Sequence, residues 1–150
     1  MGTKFNGTRD EVRALDTFIK LVRAAGSVSS RVESRFSEID LTVSQFGVLE
    51  ALYHLGPLHQ KDLAKKILKS TGNITMVVDN LEQRGLVIRS RDDDDRRHFY
   101  VTITAAGTKL IRSFFPGHAA RITAELSVLT RAEQEELGRL CKKVGLGRTE

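Results

Sequence analysis

Ser70-Thr71-Gly72-Asn73-Ile74-Thr75-Met76-Val77-Val78-Asp79-Asn80-Leu81 decides how the rest of the chain is read. Ile74, Val77, Val78 and Leu81 recur at helical spacing and make one apolar face. Asn73, Thr75, Met76, Asp79, Asn80 and Gln83 fall on the other side. Ser70 is an N-cap residue and Gly85 stands where a helix ends, so the spacing predicts a helix over 70–85. Its first turn offers small groups (Ser70, Thr71, Gly72) and short hydrogen-bonding ones (Asn73, Thr75). Long side chains would hold a partner off; these allow the backbone to approach the base edges of DNA.

Working outward, Gln60 to Ile67 reads as a short amphipathic helix with Leu63, Ala64 and Ile67 inward. Leu68-Lys69 then makes the brief turn of a helix-turn-helix. Downstream, Leu86 to Arg91 and His98 to Thr104 read as strands joined by the charged loop Asp92 to Arg97. Two helices followed by a hairpin make a winged helix-turn-helix. Upstream, Leu58-His59 can add a very short strand beside the wing.

Four stretches together resemble the MarR (multiple antibiotic resistance) family of transcriptional regulators. They are Ser70 to Thr75, Leu81-Glu82-Gln83-Arg84-Gly85-Leu86-Val87, Asp95-Arg96-Arg97, and Ile103-Thr104-Ala105-Ala106-Gly107. The resemblance covers most of the chain. It departs from the family at Met76, where many members carry a basic residue, and in the unbroken run Asp92 to Asp95, which is unusually acidic for a DNA-facing wing. The fold it implies is mainly α with a small β-hairpin wing: a winged helix-turn-helix over 42–104 flanked by dimerisation helices over 10–40 and 108–146, all in one MarR-like unit, 1–150. It also implies that Asp95 braces a wing arginine, Arg97 first, and that a small aromatic or phenolic effector shifts DNA affinity.

The whole-chain composition is compatible with that reading. A chain of 150 residues with 40% hydrophobic content is enough for one core. There is no twenty-residue apolar run and no charged-then-apolar start, and the single Cys141 points to a reducing compartment, so the chain reads as cytoplasmic with no membrane partner. The net charge is +5, and its distribution is uneven. Residues 57–91 carry Lys61, Lys65, Lys66, Lys69, Arg84, Arg89 and Arg91 against only Asp62, Asp79 and Glu82. Such an excess is often only a solvated face, but here it begins with the helix-turn-helix.

From Asp10 a helical pattern runs through Leu15, Phe18, Ile19, Val22, Ala25, Val28, Val32, Phe36 and Ile39, weakened at Gly26, Ser27, Ser29 and Ser30, where a bend is expected. Residues 1–9 read as disordered. Thr42 and Thr130 open capping boxes, Thr104 caps a long helix, and Pro116-Gly117 is expected to interrupt that helix with a kink. Cys141 falls at an apolar helical position and reads as an inert core thiol. The terminal helices are more apolar than one small domain obviously needs. They either pack on the winged helix or interleave with a second copy; one winged helix reads only a few base pairs, which favours the dimer.

Lys61, Lys65, Lys66 and Lys69 are candidate phosphate contacts that set register. Ser70, Thr71, Gly72, Asn73 and Thr75 are candidate groove contacts, because Asn pairs with an adenine edge and Thr meets a thymine methyl or a phosphate. Met76 either buries against the turn or touches a thymine methyl. Among Asp95, Arg96 and Arg97, the arginines are either neutralised by the aspartates or reach a narrow minor groove. No histidine spacing suits a structural metal, no cofactor is implied, and nucleotide loops, nucleophile elbows and zincin motifs are missing, so an enzyme is not expected. The rival function is a winged-helix module that binds protein rather than a DNA sequence.

Overall fold

The computed structural model describes residues 2–67 and 71–147. The helices are α1 (Arg9–Glu33), α2 (Val43–Leu55), α3 (Gln60–Lys66), α4 (Thr71–Gln83), α5 (Ala105–Leu126) and α6 (Arg131–Leu146), and the strands are β1 (Leu58–His59), β2 (Val87–Arg91) and β3 (Phe99–Ile103). Two compact units divide the chain: Glu33–Pro116 forms one, and Met1–Val32 with Gly117–Glu150 forms the other.

In the first unit the strands form an antiparallel sheet in the order β1-β3-β2, with Leu58 opposite Val101 and Val87 opposite Ile103. The hairpin and the extra short strand are as the sequence predicts. A 3₁₀ turn, Phe36–Ile39, precedes α2 and closes on Asp40, whose left-handed backbone (φ 50°) is one a short polar residue tolerates. Thr42 and Gln45 complete the expected capping box of α2. Leu49, Leu63, Ile74, Leu81, Val101 and Ile111 are fully buried, so α2, α3, α4, the sheet and the first half of α5 share one core. Phe36 and Phe46 stack at its edge with ring centroids 4.5 Å apart.

Two glycines have specific work here. Gly85 ends α4 at φ +68°, a left-handed geometry that costs other residues energy. Gly107 lies in the first turn of α5 against the start of β2: a Cβ there would come within 2.3 Å of the Leu86 carbonyl oxygen. Thr104 fixes the same junction, donating through Oγ1 to the Gly85 carbonyl (2.7 Å) and accepting from the Gly107 N–H (3.1 Å).

The second unit corrects several expectations. Of the residues before α1, Thr3 and Thr8 are hydrogen-bonded to the helix, through Asp16 and Glu11. Thr8 and Glu11 form a reciprocal cap, with the Thr8 N–H donating to Glu11 Oε2 (2.8 Å) and the Glu11 N–H to Thr8 Oγ1 (3.2 Å); the Thr8 N–H and hydroxyl, both donating to Oε2, hold the Glu11 carboxyl below its usual range. The Thr-x-x-Glu signal was in the sequence, hidden by the polar residues around it. α1 runs unbroken through Gly26 to Ser30, because each such residue costs a helix at most about 1 kcal/mol, too little to interrupt 25 residues. It stops at Glu33 and does not reach residue 40. α5 continues as one helical segment across Pro116, the residue that supplies no N–H to the turn before it and where the kink is expected. Arg31 Nε donates to Glu125 Oε2 at 2.6 Å, tying α1 to the end of α5.

α6 begins at the predicted Thr130–Glu133 capping box and buries no residue. Cys141 is exposed, not a core thiol, and Leu137, Leu140 and Val144 on the same helix are exposed with it. Phe18 and Val22 of α1 are also open. The helical period matches the apolar spacing in the sequence, but these faces are left exposed among the described residues. No helix among the described residues is long and apolar enough to cross a membrane.

Candidate nucleic-acid interface

The interface is built from α4 outward. Ile74, Val78 and Leu81 are wholly buried, and that fixes the rotation of the helix. Asn73, Thr75 and Met76 consequently stand on its open side. Met76 is 61% exposed, which removes the option that it buries against the turn and leaves an apolar contact surface. Thr75 is anchored as well as exposed: Gln60 Nε2 at the start of α3 donates to its Oγ1 at 2.8 Å. Lys69 and Ser70 lie outside the described residues. Thr71 and Gly72 open α4, but their side chains lie outside that description too.

Lys61, Lys65 and Lys66 are on or beside α3, each exposed or largely so, and none has a carboxylate within ion-pair distance among the described residues. Positive charge left unneutralised in this way is available to phosphate.

The wing divides the aspartate run into two kinds. Asp92 turns inward: it accepts the Asp94 N–H (2.9 Å) and faces His59 Nε2 at 3.4 Å from β1. Asp93 and Asp94 are exposed at the tip. Asp95 Oδ1 receives Arg97 through Nε (3.1 Å) and the backbone N–H (3.1 Å), and Oδ2 receives Arg97 Nη2 (3.2 Å) with His98 Nδ1 2.9 Å away. The Arg97 bonds, side chain first, hold its carboxyl down at about 2, so the brace stays charged through the neutral range. Arg97 nevertheless keeps 87% of its side chain exposed while bound to Asp95. Arg96 is exposed and has no partner among the described residues. A wing with two arginines and two inward-working aspartates is less acidic toward a partner than the bare sequence suggests.

Four residues escaped the sequence reading. Arg89 of β2 reaches Asp79 of α4 at 2.6 Å, its N–H donates to Glu82 Oε2 at 2.9 Å, and Gln60 holds Thr75. Strand and helix periodicity place these residues on their own elements but do not say which elements meet.

A cleft of about 750 Å3 opens elsewhere in the winged unit, lined in part by Phe36, Asp40, Leu41, Gln45 and Arg84. Arg84 there already donates to the Asp40 and Ile39 carbonyls.

The model of the MarR family matches residues 41–99. The HTH-type transcriptional regulator MhqR of Bacillus subtilis is 40% identical over 134 residues, covering 89% of this chain and 92% of that protein. Among solved structures, BpsR of Bordetella bronchiseptica, described in terms of regulation of its DNA binding by 6-hydroxynicotinic acid, is 29% identical with a TM-score of 0.75, covering 83% of this chain and 89% of that one. Sco3205 of Streptomyces coelicolor, a MarR family regulator solved in complex with DNA, has a TM-score of 0.84 at 20% identity, covering 98% and 93%, and shares the fold.

Proposed function

Because this chain belongs to the MarR family, we propose that it is a cytoplasmic, homodimeric repressor that recognises a pseudo-palindromic duplex operator and releases it on binding a small aromatic or phenolic effector. The observation that carries the DNA reading is the pairing of two surfaces in one unit: the open Asn73–Thr75–Met76 edge of α4 and the Asp95-braced Arg97 of the wing. The first enters the major groove and the second the adjacent minor groove. Lys61, Lys65 and Lys66 flank them as phosphate contacts, with Lys69, Ser70, Thr71 and Gly72 completing the helix start. The effector class is supported by BpsR, whose DNA binding is described as regulated by a hydroxylated aromatic acid. An effector acts by favouring a spacing of the two recognition helices that misses successive major grooves.

Selection of bound fragments from genomic DNA tests the function and delivers the operator together. Affinity for the selected duplex should fall steeply with salt, whereas a protein-binding winged helix would select no sequence.

Arg97→Ala is expected to weaken operator binding by about 1–3 kcal/mol with folding intact, because an exposed wing tip carries little core. Lys65→Ala should weaken all duplexes alike and lower the salt slope by about one contact. Titrations of both variants on operator and random duplexes check this; equal losses on both duplexes for Arg97→Ala would contradict its minor-groove role.

The dimer reading rests on the uncovered apolar faces of α1 and α6, where Phe18, Val22, Leu137, Leu140 and Val144 are exposed. Light scattering of the full chain at micromolar concentration should give twice the chain mass. Deleting residues 1–36 should give monomer or aggregate.

A further inference from the structure

Arg89 is a cation in the wing that the sequence reading placed only within a general basic excess, yet only 17% of its side chain is exposed. It therefore has little surface to offer a phosphate. Its bonds run instead to the recognition helix. Nη2 lies 2.6 Å from Asp79 Oδ1 and also donates to the Thr75 carbonyl at 3.4 Å, one turn earlier. The strand's own N–H at this position donates to Glu82 Oε2 at 2.9 Å, one turn later than Asp79. Three successive points along one side of α4 (75, 79 and 82) are thus gripped from a single residue of β2. Phe99 of β3 lies 5.7 Å from the same guanidinium and 5.5 Å from that of Arg91, so the head group is held from the sheet side as well.

We infer that Arg89 is a positioning residue for operator recognition: it fixes the wing against α4 so that Arg97 and the Asn73–Met76 edge engage their grooves at the same time. The inference rests on the DNA-binding function proposed above. Its physical basis is simultaneity. A wing free to pivot about the hairpin loses its minor-groove contact when the helix docks, or makes it only at the entropic cost of ordering the hairpin on each encounter. A guanidinium suits the role because the two N–H groups of one terminal nitrogen, Nη2, reach the Asp79 carboxylate and the Thr75 carbonyl while the planar head lies near the Phe99 ring; an ammonium is a compact point charge without that planar surface. The same ion pair also cancels the Asp79 carboxylate, which would otherwise stand half-exposed and negative on a helix facing phosphates.

The test uses the full-length chain, the duplex selected from genomic fragments, and a random duplex of equal length. Arg89→Met should weaken operator binding about tenfold or more, leave random-duplex affinity within about twofold, and leave the salt slope unchanged. The specific signature is coupling. If Arg97→Ala costs about tenfold in the wild-type background, it should cost less than about threefold beside Arg89→Met, because the wing no longer docks together with the helix. Arg89→Lys, which keeps one ion pair and loses the fork, should fall between. A purely structural arginine would lower the folded fraction without changing that coupling. Wild-type operator affinity in Arg89→Met, or undiminished cost of Arg97→Ala beside it, would overturn the positioning role. So would equal losses on both duplexes with a salt slope lower by about one, which would make Arg89 a direct phosphate contact. A wild-type chain that selects no duplex at all would overturn the DNA reading itself, and the positioning role with it.

Discussion

Ile74→Ala should cost about 2–5 kcal/mol of stability, while Asn73→Ala, one residue earlier, should spare most of the thermal midpoint and lose about 1–3 kcal/mol of operator binding. Ile74 is fully buried in the core shared by α3, α4 and the sheet, so truncation removes apolar contact and leaves a cavity that its neighbours only partly fill. Asn73 is exposed, and its replacement opens nothing. The loss in binding is the worth of one bidentate base contact, close to the cost of one mismatched base pair, and it should appear as relaxed preference at one symmetric pair of operator positions. Thermal melts and operator selection on the two variants side by side make the comparison. If Asn73→Ala keeps full selectivity, base reading moves to Thr75 and Met76, the other exposed residues of that edge.

Gly107→Ala should be the most damaging single-methyl change in the winged unit. The added Cβ would sit 2.3 Å from the Leu86 carbonyl oxygen and 2.8 Å from Ile103 Cγ1. A side chain could move aside; the carbonyl cannot, since it accepts the Thr104 N–H at 3.1 Å. Overpacking generally costs about 1–3 kcal/mol, and backbone collision places this case at the upper end or beyond. Because the clash lies where the start of β2 meets the start of α5, relief would shift the hairpin and so misplace Arg97. Denaturant melts should show the stability loss, and operator binding measured on the folded fraction should fall too. Gly26→Ala is the control: nothing lies within 4 Å of that site, and alanine is the better helix former, so stability should hold or rise slightly.

The elements of this protein are determined by local sequence. The period of Ile74, Val78 and Leu81, the threonine caps at 42, 104 and 130, and the alternation in the hairpin are properties of short segments, which is why helix order, wing and short first strand can be read without coordinates. Even the Thr8–Glu11 cap was present in the letters. What tertiary structure alone decided is which groups on neighbouring elements share space. Hydropathy would send Ile88 inward and Arg89 outward; the structure does the reverse, leaving Ile88 59% exposed and Arg89 mostly covered, because Asp79 lies on the face that β2 turns toward α4. The same reason separates Asp92 and Asp95, drawn in by His59 and Arg97, from Asp93 and Asp94, which stay at the tip. Cys141 shows the converse: its apolar spacing on α6 is real, but burial requires an opposing surface, and the described residues of one chain leave it exposed. Periodicity is set by the backbone's own geometry, whereas pairing of charges and covering of faces depend on residues far apart in sequence that only the fold brings within a few ångströms.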